Sequence, residues 1–177
     1  MAKTYNTIST FTAGQVLTAA QMNDLGENSN NYRVPPMCSL YRSAALSHTA
    51  SGSYQAIAYD AERFTQTDSG MWSAGSNPSR ITLVTPGVYR VNARITFGAA
   101  SGTVIAAAFY IDGSVGAFYF SDTGLASAYY ASGETIVVSN GSTYVEVYAY
   151  QATGGAMTYG VGTTQTEFSA TWIGQAS

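Results

Sequence analysis

The sequence predicts a mainly β protein, an antiparallel jelly-roll sandwich preceded by an N-terminal extended arm and one short helix. Three observations predict it. From Met37 onward the chain breaks into eight or more short strand-like runs separated by glycine turns. Within Arg80 to Phe97, the residues Tyr89, Val91, Ala93, Ile95 and Phe97 alternate with Val88, Arg90, Asn92, Arg94 and Thr96, the period of a strand with one buried face. Only one stretch, beginning at Thr18, carries a convincing helix start.

The chain opens with a polar, extended stretch, Met1 to Thr12. Thr18-Ala19-Ala20-Gln21 then has the capping-box pattern, with Thr18 as N-cap and Gln21 reaching back, and Leu17 and Met22 stand where a hydrophobic staple closes. The expected helix runs from Ala19 to about Asn30, with Gly26 weakening it by roughly 1 kcal/mol relative to alanine. Met22, Leu25, Ser29 and Tyr32 follow a 3-4-3 spacing, a heptad seam interrupted by one serine. So short a helix is marginal in water alone, so it either rests on its own domain or meets its copies along an axis. Pro35-Pro36 ends it, because the residue before a proline is pushed to extended geometry. The expected division is therefore an arm and helix at 1–36 and a β domain at 37–177.

The first strand is expected at Met37 to Leu46, with Cys38, Leu40 and Ala44 inward, followed by a polar loop from His48 to Ser53. Tyr54 to Tyr59 and Arg63 to Thr65 are weaker candidates, and the turn-rich Asp68 to Ser79 leads into the central pair that meets at Pro86-Gly87. Thr103 to Ile111 and Gly116 to Ser121 flank Asp112-Gly113, a dipeptide suited to a tight hairpin. Ala126 to Val138 contains a further strand, and Asn140-Gly141 is a second hairpin signal leading to Tyr144 to Tyr150. The final strand is Glu167 to Ile173. The expected core includes Tyr89, Val91, Ile95, Val145, Val147, Phe168 and Trp172.

Composition narrows the function classes. Only 10% of the 177 residues are charged while 46% are hydrophobic, so the polar surface must be made from Ser, Thr, Gly, Asn and Tyr, as on many extracellular and virion proteins. A net charge of −3 with seven scattered Lys and Arg argues against nucleic acid, whose phosphates need clustered cations. The single cysteine, Cys38, excludes an intrachain disulfide and a cysteine-based zinc site, and reads as a small buried hydrophobe. MAKTYNTIST has no apolar run of signal-peptide length, and no stretch approaches a membrane span, so neither secretion by a signal peptide nor membrane insertion is expected.

The order of signals resembles the trimeric jelly-roll family of complement globular heads and tumour-necrosis-factor-like domains. The likeness lies in TPGVYRVNARITF, AAAFYIDGS, ETIVVSNGSTYVEVYAY and TEFSATWIG, and spans roughly Met37 to Gly174. Separately, TFTAGQVLTAAQMNDLGENSNNYRVPP, Thr10 to Pro36, resembles the N-terminal attachment segment of small virion proteins of tailed bacteriophages. Together the resemblances imply a homotrimeric head fibre, decoration or tail fibre protein in the virion, anchored to capsid or tail proteins through Leu17, Met22, Leu25 and Tyr32. The trimer interface they imply draws on Arg90, Asn92, Arg94 and Glu167, with arginine–Glu167 pairs between subunits, and on the tyrosine stripe Tyr144, Tyr148 and Tyr150; the other reading of the arginine face is a solvated outer surface with no partner. The alternative is a receptor-binding tail module that stacks a host-surface glycan on those tyrosines.

Catalytic chemistry has little to work with. His48 is the only histidine and no nucleophile-elbow sequence accompanies it. Asp60, Glu62 and Asp68 are the densest acidic group, but Arg63 interrupts them and their spacing matches no calcium loop. No phosphate loop, dinucleotide fingerprint or metal cluster appears in the sequence, so no enzyme, cofactor or metal is expected.

Overall fold

The computed structural model describes residues 6, 12–49, 52–98, 105–120, 129–162 and 165–176. In chain order these form helix α1 (Ala19–Arg33) and strands β1 (Met37–Tyr41), β2 (Ser47–His48), β3 (Ser53–Ala56), β4 (Ala61–Glu62), β5 (Arg80–Thr82), β6 (Gly87–Phe97), β7 (Ile105–Ile111), β8 (Ser114–Phe120), β9 (Tyr129–Ser139), β10 (Tyr144–Gln151), β11 (Met157–Thr158) and β12 (Glu167–Gly174). One sheet runs β4-β1-β12-β6-β9 and a second runs β3-β10-β7-β8, with β5 also on β10; β11 and β2 form a separate pair. This is the antiparallel jelly-roll sandwich that the sequence predicts.

The core lies between the two sheets. Leu40, Tyr89, Val91, Ile95 and Phe168 from the first sheet meet Ile81, Ile105, Phe109, Val145 and Val147 from the second, all essentially inaccessible, with Trp172 nearly so. Each large apolar side chain buried this way stabilises the fold by roughly 1.5–3 kcal/mol. Strand β6 keeps its expected alternation, pairing with β12 on one side and β9 on the other.

Several expectations about connections are corrected. The two runs that meet at Pro86-Gly87 enter different sheets, β5 against β10 and β6 against β9 and β12, so this dipeptide is a corner of the sandwich. Asn140-Gly141 is likewise a crossing from β9 to β10, and its hairpin signal reflects only the positive φ of 99° at Gly141. Asp112-Gly113 does form the expected hairpin, with φ of 48° and 79° between β7 and β8. Residues 103, 104, 121 and 126–128, placed in strands by the sequence, lie outside the described residues, as does most of the N-terminal arm.

The first strand stops at Tyr41, and Ala44 is exposed. Arg42 is the reason: its buried guanidinium donates to the carbonyls of Ala44 at 2.7 Å and Ala58 at 2.6 Å, which bends the chain away. The expected strand at Arg63 to Thr65 is replaced by β4, and the expected strand at Tyr54 to Tyr59 is limited to β3.

The helix has both halves of the capping box, with Gln21 N donating to Thr18 Oγ1 at 3.3 Å and Thr18 N donating to Gln21 Oε1 at 3.0 Å. It runs to Arg33, three residues past the expected end, because Val34 is the first position that the following proline bars from helical geometry. Leu17 and Met22 remain exposed and form no closed staple.

Candidate functional site

Among the described residues, the two outward sheet faces and the helix present the broadest surfaces. On the first sheet, Arg90, Asn92 and Arg94 of β6 lie opposite Thr171, Ser169 and Glu167 of β12, so the four predicted residues Arg90, Asn92, Arg94 and Glu167 do share one face. Within its own chain Glu167 meets Arg63 at 2.9 Å, and Arg90 meets Glu134 at 3.6 Å. Arg94 sits 5.2 Å over the ring of Tyr130. Asn92, Arg94, Glu167, Arg63 and Glu134, together with Ser39, Ser132 and Ser169, line an open polar depression of about 460 Å³.

Beside the depression the same face turns apolar. Val88 of β6 pairs with Val138 of β9, and Ile136, Val138 and Ile173 are 52%, 63% and 49% exposed. The sequence did not reveal these positions, because Thr135 to Val138 is apolar on both faces and hides which side is out.

Tyr144, Tyr148 and Tyr150 lie on β10, in the second sheet, and face away from the arginine surface. The structure therefore does not bring the predicted interface residues together: they occupy opposite faces of the sandwich. The tyrosine face is wider than the sequence stripe, because β3 and β7 add Tyr54 and Tyr110. Tyr110 stacks on Tyr148 with centroids 3.9 Å apart, Tyr54 lies 5.1 Å from Tyr150, and the Arg80 guanidinium lies 3.6 Å over Tyr144. Partial burial first pushes the Tyr54 and Tyr148 hydroxyls above their ordinary range, followed by the phenols of Tyr110 and Tyr150 at Tyr54, and by Glu146 and then the phenols of Tyr110 and Tyr144 at Tyr148.

The groups considered for catalysis are built into the fold. His48 is fully buried; its Nε2 donates to Ser53 O at 3.1 Å, which leaves Nδ1 to accept from the Tyr159 hydroxyl at 2.8 Å. Burial raises the Tyr159 phenol well above its usual value. Asp60 accepts from the backbone of Ser43 and Ala44 and lies 3.3 Å from Arg42. Asp68 is buried against Thr85. Cys38 is buried on β1, as expected. Among the described residues no His, Cys, Asp and Glu gather in a group that could hold a metal ion.

The helix touches the sandwich through Tyr32, whose ring lies 5.5 Å from that of Trp172. Val16, Met22, Tyr32 and Val34 are each more than half exposed and Leu17 nearly so, while Leu25 is half-buried. Asn28 is the buried residue of the helix; it accepts from Asn6 N and donates to Asn6 O, and the Asn6 amide donates in turn to Asp24 and Glu27.

The fold defines the class: a jelly roll of the tumour-necrosis-factor and complement-globular-head type. Similar solved structures include murine APRIL (TM-score 0.57, 8% identity, 78% of this chain and 98% of that one), the globular domain of zebrafish complement 1qA (0.55, 15%, 80% and 99%) and Eiger TNF from S. frugiperda (0.56, 10%, 80% and 96%). At such identities the likeness is one of fold. No family model and no curated protein matches the sequence.

Proposed function

We propose that this chain is a non-enzymatic structural protein of a bacteriophage particle. It acts as a homotrimeric fibre or decoration protein whose residues 1–36 fasten to capsid or tail and whose residues 37–177 project. The observation that carries the reading is the outward face of the first sheet. There a polar depression adjoins the exposed Ile136, Val138 and Ile173, an apolar surface that a second copy would cover. The resemblance to complement globular heads and TNF-like domains implies three such copies around an axis. The exposed Val16, Leu17, Met22 and Tyr32 support the anchoring role, since so short a helix gains stability only by docking. The likeness of Thr10 to Pro36 to phage attachment segments supports the particle.

Light scattering on the purified chain tests the assembly. The expected result is a trimer, converted to a monomer of unchanged circular dichroism by Val138→Lys with Ile136→Glu; a monomeric wild type would refute it. Gold-labelled antibody against the β domain tests the location. Label over head or tail is expected, and removal of residues 1–33 is expected to leave a soluble domain that no longer binds particles. Particles without label, under an antibody that recognises the free protein, would sink the virion assignment.

A further inference from the structure

The tyrosine face continues into a pocket. Along the edge of β5 a cavity of about 200 Å³ is lined by Trp72, Ser73, Ser76, Asn77, Arg80 and Thr82 among others. Arg80 and Thr82 belong to both surfaces: Arg80 lies over Tyr144, and Thr82 is its register partner across the ladder. From Tyr144 to Tyr150 the row along β10 runs about 20 Å at the usual rise of a strand.

We propose that this pocket and tyrosine row form a binding site for a neutral oligosaccharide. A pyranose presents a face of C–H groups and a rim of hydroxyls. Indole and phenol rings match the first, and the Asn77 amide, the Ser73, Ser76 and Thr82 hydroxyls and the phenol O–H groups match the second. Charge selects the neutral class. Arg80, the cation of the pocket, is balanced by Glu146, whose carboxylate is 4.0 Å from Arg80 Nε and accepts from Ser79 at 2.7 Å. Asn77 lines the pocket from a left-handed backbone, φ 54°, which asparagine tolerates better than other side chains. The second sheet faces away from the first, so the site stays open in the trimer. Loss of sugar binding and loss of assembly are therefore separate outcomes, read in the same sample.

The test titrates the full-length chain with tetrasaccharides of glucose, galactose, mannose and N-acetylglucosamine, and with sialylated and uronic-acid oligomers, while following tryptophan emission. The chain has two tryptophans and Trp172 is buried, so an emission shift reports Trp72. A saturable shift with at least one neutral sugar is expected, with Kd raised tenfold or more by Tyr148→Ala and by Asn77→Gly. The glycine variant relieves the backbone while deleting the amide, so it keeps the fold if the tyrosine variant does not. The proposal is overturned if no neutral sugar binds, if only the acidic oligomers bind, or if Asn77→Gly binds as the wild type does.

Discussion

Gly87→Ala is expected to be the most damaging single-methyl change in the described chain. Gly87 sits at φ 141°, where an L side chain is strained by about 1–2 kcal/mol. An added Cβ would also overlap Trp172 Nε1 and stand 2.5 Å from the Gly174 carbonyl. The indole must then move, losing its 3.1 Å bond to Pro86 O, worth about 1 kcal/mol, and disturbing a packed corner at a further cost of about 1–3 kcal/mol. The total, about 3–6 kcal/mol, lowers Tm by roughly 6–24 °C at about 2–4 °C per kcal/mol for a chain of this size. Gly154→Ala is the control: φ is 80° but nothing lies within 4 Å of the new methyl, so only the backbone strain remains. Thermal melts followed by far-ultraviolet circular dichroism, at one protein concentration, compare the two. Equal losses for both variants, or a Gly87→Ala melt within 2 °C of wild type, would refute the steric argument.

Burial, and then the Glu62 carboxylate, push the Cys38 thiol up to about 12. The folded chain thus keeps a proton that the unfolded thiol, near pKa ~8.5, releases; this contribution to stability is whole below about pH 8.5 and is lost as pH rises toward 12. A thiol reagent at pH 8 should leave the native protein unlabelled and label it at once in urea. His48→Ala removes a buried ring and the acceptor of the Tyr159 hydroxyl, so urea denaturation should register a loss of about 3 kcal/mol. Adding Tyr159→Phe should cost less than the sum of the two single changes, because the shared bond is already gone. Arg63→Ala should cost under about 1 kcal/mol despite its 2.9 Å contact with Glu167, since the Arg63 side chain is exposed, that of Glu167 is partly so, and solvent screens the pair.

Alternation was legible wherever a strand has one wet face. Strand β6 carries Arg90, Asn92 and Arg94 against Tyr89, Val91 and Ile95, and β10 carries Tyr144, Tyr148 and Tyr150 against Val145, Val147 and Ala149, so their inward sets could be read directly. It failed at Thr135 to Val138, where both faces are apolar. It also failed at Met37 to Leu46, where a buried arginine, not the local pattern, decides where the strand ends. Trp72 and Asn77 lay in a stretch that reads only as turn-rich, with no signal that they line a pocket beside the tyrosines.

Local chemistry was thus enough for the jelly-roll class, the capping box at Thr18, the Asp112-Gly113 hairpin and most of the core, since each depends on residues within a few positions of one another. What joined which sheet was decided by tertiary structure. A positive-φ glycine serves a hairpin and a sandwich corner equally well, and only the hydrogen-bonded partner tells them apart, as at Gly113 and Gly141. The same holds for the surfaces. Two polar stripes of similar appearance came to lie on opposite sheets, because the face a strand presents is set by its own alternation but the direction of that face by the neighbours it pairs with.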